Sequence, residues 1–214
     1  MAAVIRSINS SILPFCLAAI STICLSCSPS HPPSAALIFD LPRADLPSHT
    51  TARLGGPLTP ADVDQLESVA RTELRKAFEP FRIELADSER GFWRVRVVRE
   101  VVPQSHALAG VGESVALGPL GGGGFVDLSA IADQVARFAP ADASRAGMID
   151  ALGRGVGRVA VHEFGHQILG PASAHNDLDG HAYENGSPER FALYYADLRW
   201  TTWQHPLAVR LGVR

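Results

Sequence analysis

The stretch His162 to Asp177, HEFGHQILGPASAHND, gathers side chains that together can activate water. His162 and His166 are four residues apart, so on a helix they differ by about 40° in azimuth and project from one face. Two imidazoles placed in this way can reach a single ion at the Zn–N distance of about 2.0–2.1 Å. Glu163 is rotated by about 100° from His162, close enough to touch a water on that ion without ligating the ion itself. Zinc lowers the pKa of such a water, and a neighbouring carboxylate can take its proton. A catalytic tetrahedral site wants a third protein ligand and one open position. The helix cannot supply that ligand at convenient geometry, so the chain has to turn back. Gly170-Pro171 is a strong helix stop, and His175 follows nine residues after His166, with Asp177, Asp179 and His181 in the same loop.

The elements that must position these groups are legible on either side. A helical pattern runs from about Asp142 through the motif to Gly170. Within it Gly153, Gly155 and Gly157 cost helix propensity, and they read as tight packing or as a break before the histidines. Upstream, TPADVDQLESVARTELRKAFEPF has an N-cap threonine at Thr59, Pro60 at the first helical position and Asp62 in the first turn. Val63, Leu66, Ala70, Leu74, Ala77 and Phe78 keep the helical period, and Pro80 ends it. ALIFDL, FRIEL and FWRVRVVREV read as strands, the last with Trp93, Val95 and Val97 alternating with arginines as on a half-exposed strand. The Gly-rich run from Ala107 to Leu128 reads as edge strands and loops; no Gly-Lys-Ser/Thr follows to hold phosphate, so it is not a P-loop. After a polar loop over 172–187, a last helix is expected to start at Ser187 and Pro188 and to bury Phe191, Tyr195 and Leu198. The aromatics Phe191, Tyr194, Tyr195, Trp200 and Trp203 read as core, with one of Tyr183, Tyr194 and Tyr195 as a candidate donor to a developing oxyanion. His31, His49, His106 and His205 show no ligand spacing. The expected fold class is α+β: a small mixed sheet, a backing helix, a long site-bearing helix and a C-terminal helix.

At 214 residues the chain suits one domain with a real core. A net charge of −3 without a basic run or stripe gives no footprint for nucleic acid. Residues 1–27 have the layout of a secretory signal peptide, with an uncharged and mostly apolar run from Ile12 to Leu25. CLSC resembles a bacterial lipobox, in which Cys27 would be lipidated and tether the protein to a membrane; ordinary cleavage after Ser26 is the alternative. Both readings predict export, to the bacterial cell envelope or beyond it. SPSHPPS, residues 28–34, reads as a tether, and 35–214 as a single domain. Because Cys16, Cys24 and Cys27 all lie within the first 27 residues, no disulfide is expected to staple that domain.

HEFGH with a helix-ending glycine and a downstream histidine resembles the metzincin clan of zinc metallopeptidases. The resemblance implies a zincin-like fold, a zinc ion held by His162, His166 and His175, Glu163 as general base, and Gly170 as the turn residue. It implies hydrolysis of a peptide or protein substrate by a zinc-bound water; separately, the protein is expected to act as a monomer. The clan pattern places the glycine three residues after the second histidine and the third histidine six after it, where this chain has four and nine. The clan's methionine turn is also missing, since the only methionines are Met1 and Met148. Two other readings stay open. In a gluzincin-type peptidase the third ligand is a glutamate on a following helix, and Glu184 or Glu189 would take that part; for Glu189 simple compensation of a helix dipole is the plainer explanation. In a non-catalytic envelope domain, Asp177 or His181 would join His175 and close a structural zinc site; the presence of Glu163, which such a site does not require, argues against it.

Overall fold

A computed structural model describes residues 32–41, 46–86, 90–100, 112–116, 121–170, 183–184 and 194–214. Residues 1–27, read above as a signal peptide, and the candidate ligands His175, Asp177, His181 and Glu189 lie outside the described residues, as does the expected helix start at Ser187-Pro188. Residues Pro32–Arg214 form a compact unit.

The fold is mixed α and β. Strands β1 (Ser34–Asp40), β2 (Glu84–Ala86), β3 (Trp93–Val98), β4 (Gly112–Ala116) and β5 (Gly122–Asp127) make one sheet in the order β2-β1-β3-β5-β4. Four strands run parallel; β4, at the edge, runs antiparallel to β5 with Gly112 opposite Val126 and Ala116 opposite Gly122. Alternation decides which side of β3 is covered: Trp93, Val95 and Val97 are buried while Arg94 is exposed. A second, two-stranded sheet pairs β6 (Tyr183–Glu184) with β7 (Arg199–Trp200).

The helices with both ends among the described residues are α1 (Ser48–Arg53), α2 (Pro60–Phe78), α3 (Leu128–Phe138), α4 (Arg145–Leu169) and α5 (Gln204–Leu211). Helix α2 starts as its sequence predicts: Thr59 and Asp62 close a reciprocal capping box, with the Thr59 N–H donating to Asp62 Oδ2 at 2.7 Å. Its buried stripe is Leu66, Ala70, Leu74, Ala77 and Phe78. Helix α4 is a single uninterrupted run of 25 residues, about 37 Å long, capped at its start by the Ser144 hydroxyl. It ends at Gly170, whose φ of 58° an L side chain rarely adopts.

The three glycines of α4 mark packing, not a break. A Cβ on Gly153 would lie 2.7 Å from the Leu66 carbonyl oxygen, and one on Gly157 would lie 2.6 Å from that of Ala70. Each glycine costs roughly 1 kcal/mol of helix propensity relative to alanine, and what it gains is the close passage of α2 along α4. Gly155 faces the other way, against Ile131 of α3 and the ring of Tyr194. Helix α4 also crosses the buried face of the sheet, in contact with β3, β4 and β5.

The structure adds one helix to those expected and shortens one strand. An eleven-residue helix, α3, precedes Asp142; Asp127 caps it and Leu128, Ile131, Ala132 and Val135 form its buried stripe. FRIEL is largely not a strand: Phe81 makes an isolated bridge to Val213, and only Glu84 and Leu85 of it join β2. The last helix expected from Ser187 lies mostly outside the described residues: Tyr194 and Tyr195 are helical, Leu198 is buried just beyond them, 199–200 is extended, and a further helix, α5, follows at Gln204–Leu211.

Candidate metal centre

The two histidines occupy the last two turns of α4, on the side where Trp203 and α5 pack. Their Nε2 atoms are 3.1 Å apart. Two Zn–N bonds of about 2.05 Å at a tetrahedral angle would separate their nitrogens by about 3.3 Å, so the donor pair fits a shared zinc ion. The rings are nearly perpendicular, at 85° with centroids 4.7 Å apart. Both side chains are partly exposed, as a site with an open position requires.

Glu163 is buried, at 5% exposure, and its carboxylate is turned towards β4. A Cβ on Gly112 would lie 2.7 Å from Glu163 Oε1 and equally close to Val159 Cγ1, so the bare backbone of Gly112 leaves the space the carboxylate occupies. Two residues along the strand, the Ser114 hydroxyl donates to the Glu163 carbonyl oxygen at 3.2 Å. These contacts join the edge strand to the turn of helix that carries the histidines and the glutamate.

One turn further, Gln167 ties the same end of α4 to the sheet. Its buried amide accepts from the Arg94 N–H at 3.2 Å and donates to the Arg94 carbonyl at 3.1 Å. Gly122 of β5 makes this possible, since a Cβ there would lie within 2.7 Å of Gln167 side-chain atoms. A buried primary amide with both its polar ends satisfied fixes the helix against sliding along the sheet.

Trp203, which the sequence reads as core, is an aromatic in contact with both members of the pair. Its ring stacks on His162, with centroids 5.3 Å apart at 22°, and meets His166 edge to face at 4.9 Å and 75°. A Cβ on Gly165 would lie 2.3 Å from Trp203 Cζ3, so glycine in the middle of the HEFGH motif makes room for the indole. Sequence signals for these supporting residues were thin. Gly165 offered one, as a glycine inside a helical motif; nothing local marks Gly112, Ser114 or Trp203.

Two of the tyrosines are placed away from the histidines. The Tyr194 hydroxyl donates to Gln134 Oε1 at 2.8 Å, and that of Tyr195 donates to the Val135 carbonyl at 3.1 Å. Tyr194 packs on Gly155, seven residues before His162, or about 10 Å back along the helix. The expectation that either supplies an oxyanion donor is withdrawn; the side chain of Tyr183 lies outside the described residues. Met148 is buried in the first turn of α4, at the far end from the histidines. Among the described residues, no group of three or more His, Cys, Asp or Glu side chains converges as a metal site. His162, Glu163 and His166 are brought together at one helix end, and the remaining candidates, His175, Asp177, His181 and Glu189, are outside the described residues, as is the side chain of Glu184. No helix among the described residues is long and apolar enough to cross a membrane.

No protein-family model matches the chain, and no curated protein matches it.

Proposed function

We propose that this protein is a zinc-dependent metallopeptidase of zincin-like, metzincin-like architecture. The observation that carries the reading is the convergence of the His162 and His166 Nε2 atoms to 3.1 Å beside the buried carboxylate of Glu163. A structural site needs the histidines only; a carboxylate held one residue away, in space cleared for it by Gly112, is what proton transfer needs. Zinc, when bound, would lower the pKa of water and polarise a substrate carbonyl. His162 and His166 would hold it, with His175 as third ligand and Asp177, His181, Glu184 or Glu189 as the alternatives. Glu163 would accept the proton of the attacking water and return it to the leaving amine.

The edge strand supports a peptide substrate. β4 lies against the helix end that bears the site, and among the described residues only β5 pairs with it. An extended peptide added to such an edge gains main-chain hydrogen bonds and is laid past the reacting groups. The export reading of residues 1–27, with a membrane tether through a lipidated Cys27 or with release, would place the enzyme at the bacterial cell envelope or outside the cell. A monomer suffices for this chemistry.

Glu163→Gln keeps size and one acceptor but loses the basic carboxylate. Zinc content and melting temperature should stay near wild type, while peptide hydrolysis should fall by about 10²–10⁴-fold. A library of peptides showing no chelator-sensitive cleavage by wild type would leave the non-catalytic zinc domain as the better reading. A parallel pair of variants sorts the third ligand: His175→Ala should weaken zinc binding severely and Glu189→Gln hardly at all, and the reverse would favour the gluzincin arrangement.

A further inference from the structure

We infer that Trp203 is a positioning residue for the histidine pair: its indole is the wall that holds both imidazoles in their converged geometry and shields the buried side of the metal site. The inference rests on the zinc reading above. Three independent contacts support it. The indole plane lies on the His162 ring at 22°, and its face or edge meets His166 at 75°, so one side chain contacts both members of the pair. Gly165, between them in sequence, is the residue whose missing Cβ admits the indole.

The indole is itself held on both sides. Just before it in the chain, Trp200 donates its Nε1–H to the Ala77 carbonyl of α2 at 2.6 Å and packs edge to face on Phe78 and Phe81. Just after it, Trp203 caps α5, its carbonyl accepting from the Leu207 N–H at 2.9 Å, while Leu207 and Leu211 are buried. Trp203 is 6% exposed. A rigid ring so anchored removes rotamers from two side chains that would otherwise turn independently about χ1 and χ2. The free energy of ordering the ligands is then met during folding and not during metal binding. An apolar wall also excludes water from one side of the ligands, which tunes a metal site from outside its coordination shell.

The test measures zinc affinity of the full mature chain by competition with a chromophoric chelator, and the visible spectrum and tryptophan emission of the cobalt(II)-loaded protein. Trp203→Ala should weaken zinc binding by about 10–100-fold, the range typical of lost outer-shell support. Trp203→Phe, which keeps an aromatic plane, should recover most of it. Cobalt(II) should quench the emission of wild type and of Trp200→Phe, but leave the remaining emission of Trp203→Phe nearly unchanged. The cobalt absorption bands should shift in Trp203→Ala, which a loss of global stability alone would not cause. Should Trp203→Ala fail to fold, Gly165→Ala stands in: it displaces the indole and should weaken zinc binding at least threefold. Trp203→Ala, or Gly165→Ala in its place, binding zinc within twofold of wild type would overturn the inference while leaving the metallopeptidase reading intact. Wild-type protein that binds no zinc, or His162→Ala that binds it normally, would overturn both.

Discussion

The two halves of helix α4 are built from the same ingredients and put them to different ends. In the first half, Gly153 and Gly157 bring the backbone of α2 close, and the buried Arg158 donates to Glu73 of α2 at 2.8 Å. In the second half, Gly165 brings in an indole, and the polar side chains His162, Glu163 and His166 gather at one end of the helix. The first half therefore uses its glycines and its charge to join two helices. The second uses a glycine to shape a site, and its polar groups are held by neighbours on three sides: β4, β3 through Gln167, and the segment of Trp203. Similar residue types do not imply similar roles; what each touches decides.

Breaking the first half should change stability without changing the site. Glu73→Ala removes one hydrogen-bonded ion-pair contact from Arg158, which is 2% exposed. Losing a hydrogen bond between charged groups costs about 1.5–3 kcal/mol. Denaturant unfolding should show that loss, while the zinc affinity of the folded fraction stays within about twofold of wild type. A comparable loss of zinc affinity would mean that the two halves are coupled, and the contrast would fail.

Breaking the second half should do the opposite. Gly112→Ala places a methyl within 2.7 Å of Glu163 Oε1 and Val159 Cγ1, both side-chain atoms that can shift. Peptide hydrolysis should fall about tenfold through kcat, which corresponds to about 1.4 kcal/mol in the barrier. Zinc affinity should hold, because the added methyl meets the side chains of Glu163 and Val159. Unchanged kcat would remove β4 from the positioning of Glu163.

The smallest effect sits at the point where α2 and α4 both begin. Arg145, at the start of α4, donates to Asp62 Oδ2 at 2.8 Å and to the carbonyls of Leu54 and Pro57 at 2.6 Å each. The Arg145 guanidinium, helped by the Thr59 hydroxyl, holds the Asp62 carboxyl well below the usual carboxylate range. A carboxylate with a depressed folded-state pKa contributes stability that is full above its unfolded value of about 3.9 and is lost as pH falls through the folded one. Asp62→Asn should therefore cost about 1 kcal/mol at neutral pH, and the difference from wild type should shrink steadily below about pH 4. Thermal melts from pH 7 down to pH 2 would show it, and a difference independent of pH would assign the effect to the cap geometry alone.

Local sequence determined what local physics controls. The Thr59-Pro60-Asp62 start of α2, its apolar stripe, the alternation of β3 and the stop at Gly170 all depend on neighbours within one or two turns, and each is found where its residues predict. The same holds for the shared face of His162 and His166, since a four-residue spacing on a helix fixes direction whatever surrounds it. Helix α3 had the same kind of signal in its Asp127 cap and its apolar period, but it lies directly after a run of glycines and spans three turns, so its pattern was short.

Tertiary structure alone decided what depends on distant partners. Whether Gly153 and Gly157 would break α4 turned on α2, some 80 residues away, which takes the space their missing side chains leave. Tyr194 and Tyr195 were equivalent candidates until α3 claimed both hydroxyls. Trp203 looked like any core aromatic, because the spacing of 37 residues between it and His166 carries no periodic signal. Its place beside both histidines is set by Gly165, Trp200 and α5 acting together, and contacts between segments so far apart leave no trace in the order of residues along either one.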